Sequence, residues 1–187
     1  MLTIRRCLSA SEKPRTLLHE ECLIGEETLL RVSRCGFSLT YAPLERAQWQ
    51  TFPTPEDFTA QAVCAAPQAA LFLAYEDDSY VGCAAIRPCG TWMQLGDIRV
   101  DVLHRRHGIA TALLETAEQF AVHHGYCGMR VEVSDQHPIL CRFLEKRGYV
   151  IGGMDRMLMT MSPEERQKPL MRRACALYFY RIFKVPG

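Results

Sequence analysis

The chain has 187 residues, is 48% hydrophobic and has a formal net charge of +1, from 22 Lys and Arg against 21 Asp and Glu. This length and apolar content predict one globular domain over residues 1–187, of which residues 1–65 are the N-terminal part. The near balance of charge argues against a protein whose main partner is a polyanion such as nucleic acid. Any anion site must therefore be local.

The cysteines give no sign of cross-linking. There are nine of them, and no two form a C-x-x-C pair. This pattern is typical of reduced, mostly packed thiols rather than of a disulfide framework or a zinc site. The N-terminal segment lacks the apolar run of a signal peptide, and no stretch of about 18 apolar residues occurs. We therefore expect a cytoplasmic protein with no membrane partner.

The first third of the chain gives weak signals. Residues 28–32 and 37–41 are predicted to be short strands, and the segment PTPED at 53–57 is predicted to be a loop that leads into a helix. From residue 70 the signals are stronger. The segments LFLAY (71–75) and YVGCAAI (80–86) predict two strands of a hairpin, joined by the turn EDDS.

The next segment, TWMQLGDIRVDV (91–102), predicts a strand with a β-bulge. Its apolar residues alternate up to Leu95 and again from Ile98, so the phase slips by one residue at Gly96 and Asp97. One extra residue in a strand turns every later side chain to the opposite face, which is the effect of a bulge. A glycine at the slip supports this interpretation.

The segment RRHGIATALL (105–114) begins an amphipathic helix that is predicted to end near Gly125. It matches the pattern R-x-x-G-x-A through Arg105, Gly108 and Ala110, and it matches neither a Walker A loop nor G-x-G-x-x-G. Small residues let an anion approach the N–H groups of the first helical turn, and arginines add charge-assisted hydrogen bonds. The context favours a phosphate site, although the six residues alone fit an ordinary basic helix start.

The remaining pattern predicts four more elements. GMRVEVS (128–134) alternates as a half-buried strand, and Pro138 begins a second helix that ends at Gly148. The segments 149–159 and 175–183 are predicted strands separated by the loop SPEERQKP. The order strand–strand–strand–helix–strand–helix–strand–strand predicts an α/β protein with a mixed sheet.

A bulged strand, the R-x-x-G-x-A turn, an amphipathic helix and a further strand together resemble the GNAT superfamily of acyl-CoA-dependent N-acyltransferases. The resemblance implies a GNAT-type mixed, mostly antiparallel sheet that is splayed at the β-bulge and flanked by helices. It also implies acetyl-CoA as the donor, with its pyrophosphate on the turn and its pantetheine arm beside the bulge. The residues that it places at this cofactor are Ile98, Arg99, Val100, Arg105, Arg106, His107, Gly108, Ile109, Ala110 and Thr111, with His137 at the position of a pantetheine-binding asparagine.

Roughly residues 70–183 look like the streptothricin acetyltransferase-like branch of this superfamily. DIRV (97–100), RRHGIATALL (105–114) and the strand through Glu132 carry this resemblance together with three further features. They are CRFLEKRGY (141–149), IGGMDRMLM (151–159) and the aromatic terminal segment ALYFYRIF (176–183). The branch implies transfer of an acetyl group from acetyl-CoA to a primary amine of a small molecule, by direct attack in a ternary complex. A streptothricin-type antibiotic is the leading acceptor, which implies antibiotic resistance. Another amine metabolite and a peptide or protein amine are the alternatives.

Asp97 and Glu132 are the candidate catalytic bases. An amine with a pKa near 10.4 is uncharged in only about one molecule in 2,500 at pH 7. A base, or a carboxylate that positions a water, therefore matters more than an acid. The alternatives are that Asp97 bonds to the backbone of the bulge and that Glu132 is an exposed partner of Arg130.

Two departures from the branch favour a second hypothesis, a protein that binds acyl-CoA with little or no catalysis. The branch usually has an acidic residue where Gly96 stands, and its general-acid tyrosine falls at Leu144. Tyr149 and Cys141 are candidate substitutes, although core packing is the expected role of both. General acid–base assistance is typically worth about 10²–10⁴-fold, so its loss would slow the transfer without abolishing it.

No metal site is predicted. His104 with His107, and His123 with His124, form pairs, but no third ligand has suitable spacing, so these are expected to be surface histidines. We expect a monomer or a homodimer whose partner is a small-molecule amine and which binds no nucleic acid.

Overall fold

The computed structural model describes residues 1–14, 18, 20–156, 167–168 and 174–183. In these residues the chain forms nine strands and three α-helices. The strands are β1 (Leu2–Cys7), β2 (Cys22–Ser33), β3 (Gly36–Gln50), β4 (Ala70–Glu76), β5 (Ser79–Cys89), β6 (Trp92–Val100), β7 (Gly128–Ser134), β8 (Val150–Asp155) and β9 (Ala176–Ile182). The helices are α1 (Ala60–Ala65), α2 (Ile109–His123) and α3 (Pro138–Lys146).

Seven strands are hydrogen-bonded in the order β1-β4-β5-β6-β7-β9-β8, and β2 and β3 form a separate two-stranded sheet. The large sheet is mostly antiparallel, with one parallel pair, and helices flank it. This arrangement confirms the fold class predicted from the order of the elements. None of the helices in the described residues is long and apolar enough to span a membrane.

The chain folds as two compact units. Unit 1 consists of Met1–Cys22, Thr51–Met129 and Ile182–Gly187, and it contains the bulged strand, the R-x-x-G-x-A turn and α2. Unit 2 consists of Leu23–Gln50 and Arg130–Arg181, and it contains the β2–β3 hairpin and α3. The single domain over residues 1–187 stays a prediction.

The core of unit 1 follows from the apolar patterns of β4, β5 and α2. The turn between β4 and β5 has positive φ at Asp77 (46°) and Asp78 (65°), as the two-residue turns of tight hairpins require. In α2, Leu113, Leu114 and Ala117 are fully buried, which confirms the predicted apolar face. Because both faces of β4 are covered, its sequence is a continuous apolar run rather than an alternating one.

The predicted bulge lies where the parity of β6 changes. Ala85 pairs with Asp97 and Ile86 pairs with Leu95, so Gly96 is the extra residue with no partner on β5. A Cβ added to Gly96 would lie 2.2 Å from ring carbons of Phe58, a side chain that is only 6% exposed. A glycine is therefore needed here because an aromatic ring occupies the place of a side chain. The acidic residue expected from the branch has no room at this position.

In unit 2, the IGG stretch also contains a glycine whose side-chain space is filled by an aromatic ring. The register between β8 and β9 shifts between Ile151 and Gly153, and a Cβ on Gly152 would lie 2.6 Å from the ring of Tyr180. Leu177 and Phe179 of β9 are fully buried. The predicted strand 149–159 ends at Asp155 in the described residues, and 157–159 and most of the loop SPEERQKP lie outside them.

Two features of the N-terminal third were not predicted in full. Strand β1 was not predicted; it pairs antiparallel with β4, from Leu2 opposite Glu76 to Cys7 opposite Leu71. Its two arginines interrupt the apolar alternation that identifies a strand. The strands predicted at 28–32 and 37–41 lie beside the turn of a much longer hairpin, which extends back to Cys22 and on to Gln50.

We expect Gly96→Ala to lower the free energy of unfolding by about 1–3 kcal/mol, because the added methyl group overlaps the ring of Phe58. Chemical denaturation measures the change. The matched control is Gly153→Ala, whose Cβ would make an ordinary 3.5 Å contact with Tyr178 and should cost much less. In a Phe58→Ala background the cost of Gly96→Ala should largely disappear; an equal cost in both backgrounds contradicts the overlap.

Candidate functional site

The turn between β6 and α2 presents backbone donors to open space. Arg106 has a φ of 70° and Gly108 a φ of 82°, so left-handed residues lie on both sides of His107. Successive N–H groups in a backbone of this kind form a concavity that binds anions. Gly108 is the N-cap of α2 and provides no side-chain hydrogen bond to the helix start. The N–H groups of the first turn therefore need a partner from outside the helix.

The surroundings of this turn fit a phosphate. A Cβ built on Gly108 meets no atom within 4 Å, so the space beside the backbone is open. The first turn of α2 has no acidic residue, and the Arg106 and His107 side chains are exposed. Unpaired N–H groups, the positive end of the helix dipole and a nearby cation together favour a bound anion.

Arg105 anchors the turn to the rest of unit 1. Its Nε donates to Val100 O at 3.0 Å, Nη1 to Glu21 O at 2.9 Å and Nη2 to Glu20 O at 3.1 Å. Nη1 also lies 3.4 Å from Cys22 Sγ. The guanidinium thus fastens the end of β6 and residues 20–22 to the turn. Its predicted contact with the cofactor stays a prediction.

The end of β6 is fixed against β5. A Cβ on Gly82 would lie 2.5 Å from Arg99 O, so a glycine in β5 permits the close approach of the two strands. Asp101 N donates to Val81 O at 2.9 Å, and the Asp101 carboxylate caps the short 3₁₀ turn that follows, by accepting from Leu103 N at 3.0 Å. The end of β6, residues 98–100, is therefore held against β5. It leads through this 3₁₀ turn to residues 105–108, which we call the anion turn.

Asp97 is engaged by side chains rather than by the backbone of the bulge. Its carboxylate is 10% exposed and accepts from Arg99 Nε at 2.8 and 2.9 Å and from Thr54 Oγ1 at 3.0 Å. Arg99 also pairs with Glu20 and donates to Phe52 O at 2.7 Å. Burial lowers the pKa of Arg99, but the Asp97 and Glu20 carboxylates raise it by more, so the net shift is upward. Both oxygens of Asp97 therefore already accept hydrogen bonds from other side chains.

Glu132 lies on β7 in unit 2 and has a different environment. Its side chain is 30% exposed, and Arg130 Nη2 lies 3.8 Å from Oε2, longer than a direct hydrogen bond. Burial raises the pKa of Glu132; Arg130 opposes this shift and Asp155 adds to it. Arg130 also lies over the ring of Tyr178, 4.6 Å from its centroid. A carboxyl group with a raised pKa is the stronger candidate for a general base.

The other residues of unit 2 that sequence reasoning selected are a helix cap and three buried residues, and the predicted contact of His137 with the cofactor stays a prediction. His137 caps α3, with Nδ1 accepting from Leu140 N at 3.3 Å, so a neutral ring has its proton on Nε2. Leu144, Cys141 and Tyr149 are buried. Burial raises the pKa of the Cys141 thiol to about 12, which makes it a poor acid near neutral pH. Core packing, the role expected for Cys141 and Tyr149, agrees with this burial.

The histidine pairs do not gather further ligands in the described parts of the chain, where no three His, Cys, Asp or Glu side chains are placed to hold a metal ion. His104 Nδ1 lies 3.5 Å from Asp101 Oδ1, and His124 Nδ1 lies 2.8 Å from Phe120 O.

Comparison with known proteins assigns the family. Residues 38–149, more than half of the chain, match the model of the acetyltransferase (GNAT) family. Streptothricin acetyltransferase A of Bacillus subtilis (strain 168) is 33% identical over 95 residues, which are 50% of this chain and 55% of that protein. Streptothricin acetyltransferase of Escherichia coli is 30% identical over 114 residues, 59% of this chain and 61% of that protein. The matches thus span about half to three fifths of these curated relatives.

A solved structure has the same fold over nearly the whole chain. It is a provisionally assigned streptothricin acetyltransferase from Bacillus anthracis str. Ames in complex with acetyl coenzyme A, with a TM-score of 0.82 over 98% of this chain and 100% of that chain. At 19% sequence identity this likeness concerns the fold alone. The family match and the geometry of the turn confirm the resemblance drawn from the sequence: the chain belongs to the GNAT acetyltransferase family.

Proposed function

We propose that this chain transfers an acetyl group from acetyl-CoA to a primary amine of a small molecule, by direct attack in a ternary complex. The main support is the anion turn, where Arg106 and Gly108 are left-handed and no side chain caps α2. The match to the GNAT family supports the pyrophosphate of a coenzyme A thioester as the ligand of this turn.

The residues of unit 1 fit this donor. The N–H groups of residues 108–111 would bind the pyrophosphate, and Arg106 would add positive charge. Arg105 would keep the turn in place through its bonds to Val100, Glu20 and Glu21. Residues 98–100 would contact the pantetheine arm. When bound, acetyl-CoA supplies a thioester whose thiol, with a pKa near 8.5, leaves more readily than an alcohol.

Glu132 is the better candidate for the base that prepares the amine. An ammonium acceptor must lose a proton before it attacks, and burial raises the pKa of Glu132 toward the range in which a carboxylate accepts that proton. Asp97 is less suitable because its oxygens already accept bonds from Arg99 and Thr54. The buried Leu144 supplies no acid, so the thiolate would leave without proton transfer from that position.

Streptothricin-type antibiotics are the leading acceptors in this proposal. The support is the naming of two curated relatives as streptothricin acetyltransferases. A second candidate function, binding of acyl-CoA with little catalysis, is favoured by the ion pair at Asp97 and by the apolar Leu144. The proposed cellular location stays cytoplasmic.

Two assays test the proposal in sequence. Acetyl-CoA should raise the melting temperature, since a ligand that binds only the folded state stabilises it; the absence of a shift at saturating acetyl-CoA excludes both candidate functions. Thiol release with a panel of amines that includes streptothricin then separates an enzyme from a binding protein. Identification of the acetylated nitrogen by mass spectrometry names the acceptor group.

Gly108→Ala should weaken acetyl-CoA binding about tenfold or more, because its φ of 82° is strained for alanine and the methyl group stands where the phosphate approaches. Gly125→Ala is the matched control: its φ is 79°, and it follows the other end of α2. Both variants should lose similar stability, and only Gly108→Ala should lose affinity in calorimetric titration. Equal affinities would show that the turn does not bind the donor.

Glu132→Gln should lower kcat by about 10²–10⁴-fold if the carboxylate is the base. In the unmodified chain kcat should fall on acidification, with a midpoint above 4.5 because burial raises the pKa of Glu132. The variant should lack this acidic limb and keep its affinity for acetyl-CoA. Glu115→Gln, on the exposed side of α2, is the control and should leave the pH profile unchanged. An unaltered profile in Glu132→Gln would assign the base elsewhere.

A further inference from the structure

Arg99 joins three separate segments of unit 1. Its Nε donates to both Asp97 oxygens at 2.8 and 2.9 Å, its Nη2 donates to Phe52 O at 2.7 Å, and its Nη1 pairs with Glu20. The side chain is 12% exposed. Each nitrogen of the planar guanidinium thus has an acceptor from a different part of the chain. A lysine would keep the charge but lose this fork geometry.

The groups around Asp97 show why its ion pair with Arg99 matters. Thr54 Oγ1, from the loop before α1, donates to Oδ2 at 3.0 Å. Strand β5 contributes Tyr80 and Cys83, whose pKa values are raised mainly by burial, with the negative charge of Asp97 as a further cause. Lys13 acts on Cys83 in the opposite direction, and Glu20 is a second carboxylate on the far side of Arg99. Without Arg99, this largely buried carboxylate would lose the cation that is paired with it.

We propose that Arg99 is a positioning residue that holds Asp97 as a fixed carboxylate and fastens residues 20 and 52–54 to the bulge. The Asp97 oxygens already accept hydrogen bonds from Arg99 Nε and Thr54 Oγ1, so a proton of the acceptor would have to displace one of these donors to reach this carboxylate. Arg99 compensates one of the two carboxylates that it contacts, Asp97 and Glu20, so the cluster keeps a net negative charge, which favours a cationic amine. The kinetic part of this inference rests on the proposed function, whereas the structural part rests on the contacts alone.

The structural part is tested by melting temperatures between pH 4 and pH 8. In Arg99→Met, the buried Asp97 has no cation, so the folded state holds its proton more tightly than the unfolded state does. Such a group stabilises the fold at low pH and loses this contribution as pH rises. Arg99→Met also loses the hydrogen bond to Phe52 O at every pH, so its melting temperature should lie below that of the unmodified chain throughout, with a deficit about 2–4 °C larger at pH 8 than at pH 4.

Two further variants distinguish the loss of the Arg99 charge from the loss of its packing contacts. Arg99→Lys retains a cation and should show little of this pH dependence, although it lowers the melting temperature at every pH. Adding Asp97→Asn to Arg99→Met removes the carboxyl group, so the melting-temperature deficit of the double variant should no longer change with pH. A deficit of Arg99→Met that is constant with pH, or one whose pH dependence persists in the double variant, overturns the proposal.

The kinetic part uses the amine that the unmodified chain acetylates. Asp97→Asn should raise the KM for a cationic amine about tenfold and leave the acidic limb of kcat in place. Loss of that limb in Asp97→Asn, with its retention in Glu132→Gln, would make Asp97 the base and overturn the assignment. If no amine is acetylated, the proposed function fails, while the melting temperatures still decide the role of Arg99.

Discussion

The site depends on a set of backbone donors that the fold leaves without partners. Gly108 replaces the usual side-chain cap of a helix, and its left-handed backbone places open space beside the N–H groups that begin α2. Folded proteins leave such groups unpaired only where water or a ligand meets them. The neighbouring contacts hold the turn in position: Arg105 binds three carbonyl oxygens, Asp101 caps the preceding turn, and Ile109 is buried.

The bulge in β6 is a second constraint on the same strand. Gly96 has no partner on β5 and is covered by Phe58, so a side chain is excluded at the position where the related branch usually has an acid. Asp97, the next residue, is turned to Arg99 and Thr54. The strand thus presents one engaged carboxylate at its bulge and an anion turn beyond its end, which supports a role for unit 1 in holding the donor.

The sequence alone was sufficient to predict the structure wherever a pattern of neighbouring residues determines it. The change of parity at Gly96 predicted the bulge, and the R-x-x-G-x-A pattern predicted the turn, because both depend on neighbouring residues. The network around Arg99 was not predictable, since it joins Arg99 to residues 79 and 47 positions away. No spacing rule selects Glu20, Phe52 or Thr54 as partners. The end of β3, ERAQWQ (45–50), is mostly exposed and likewise lacks the apolar alternation that identifies strands.

We propose above all that the backbone between Arg106 and Thr111 binds the pyrophosphate of acetyl-CoA. A titration of the ¹⁵N-labelled chain with acetyl-CoA, followed by backbone amide chemical shifts, tests this most directly. The largest downfield proton shifts, as expected for new hydrogen bonds to phosphate, should occur at the amides of residues 108–111 and saturate with the measured affinity. Saturable binding that leaves these amides unshifted would contradict this proposal.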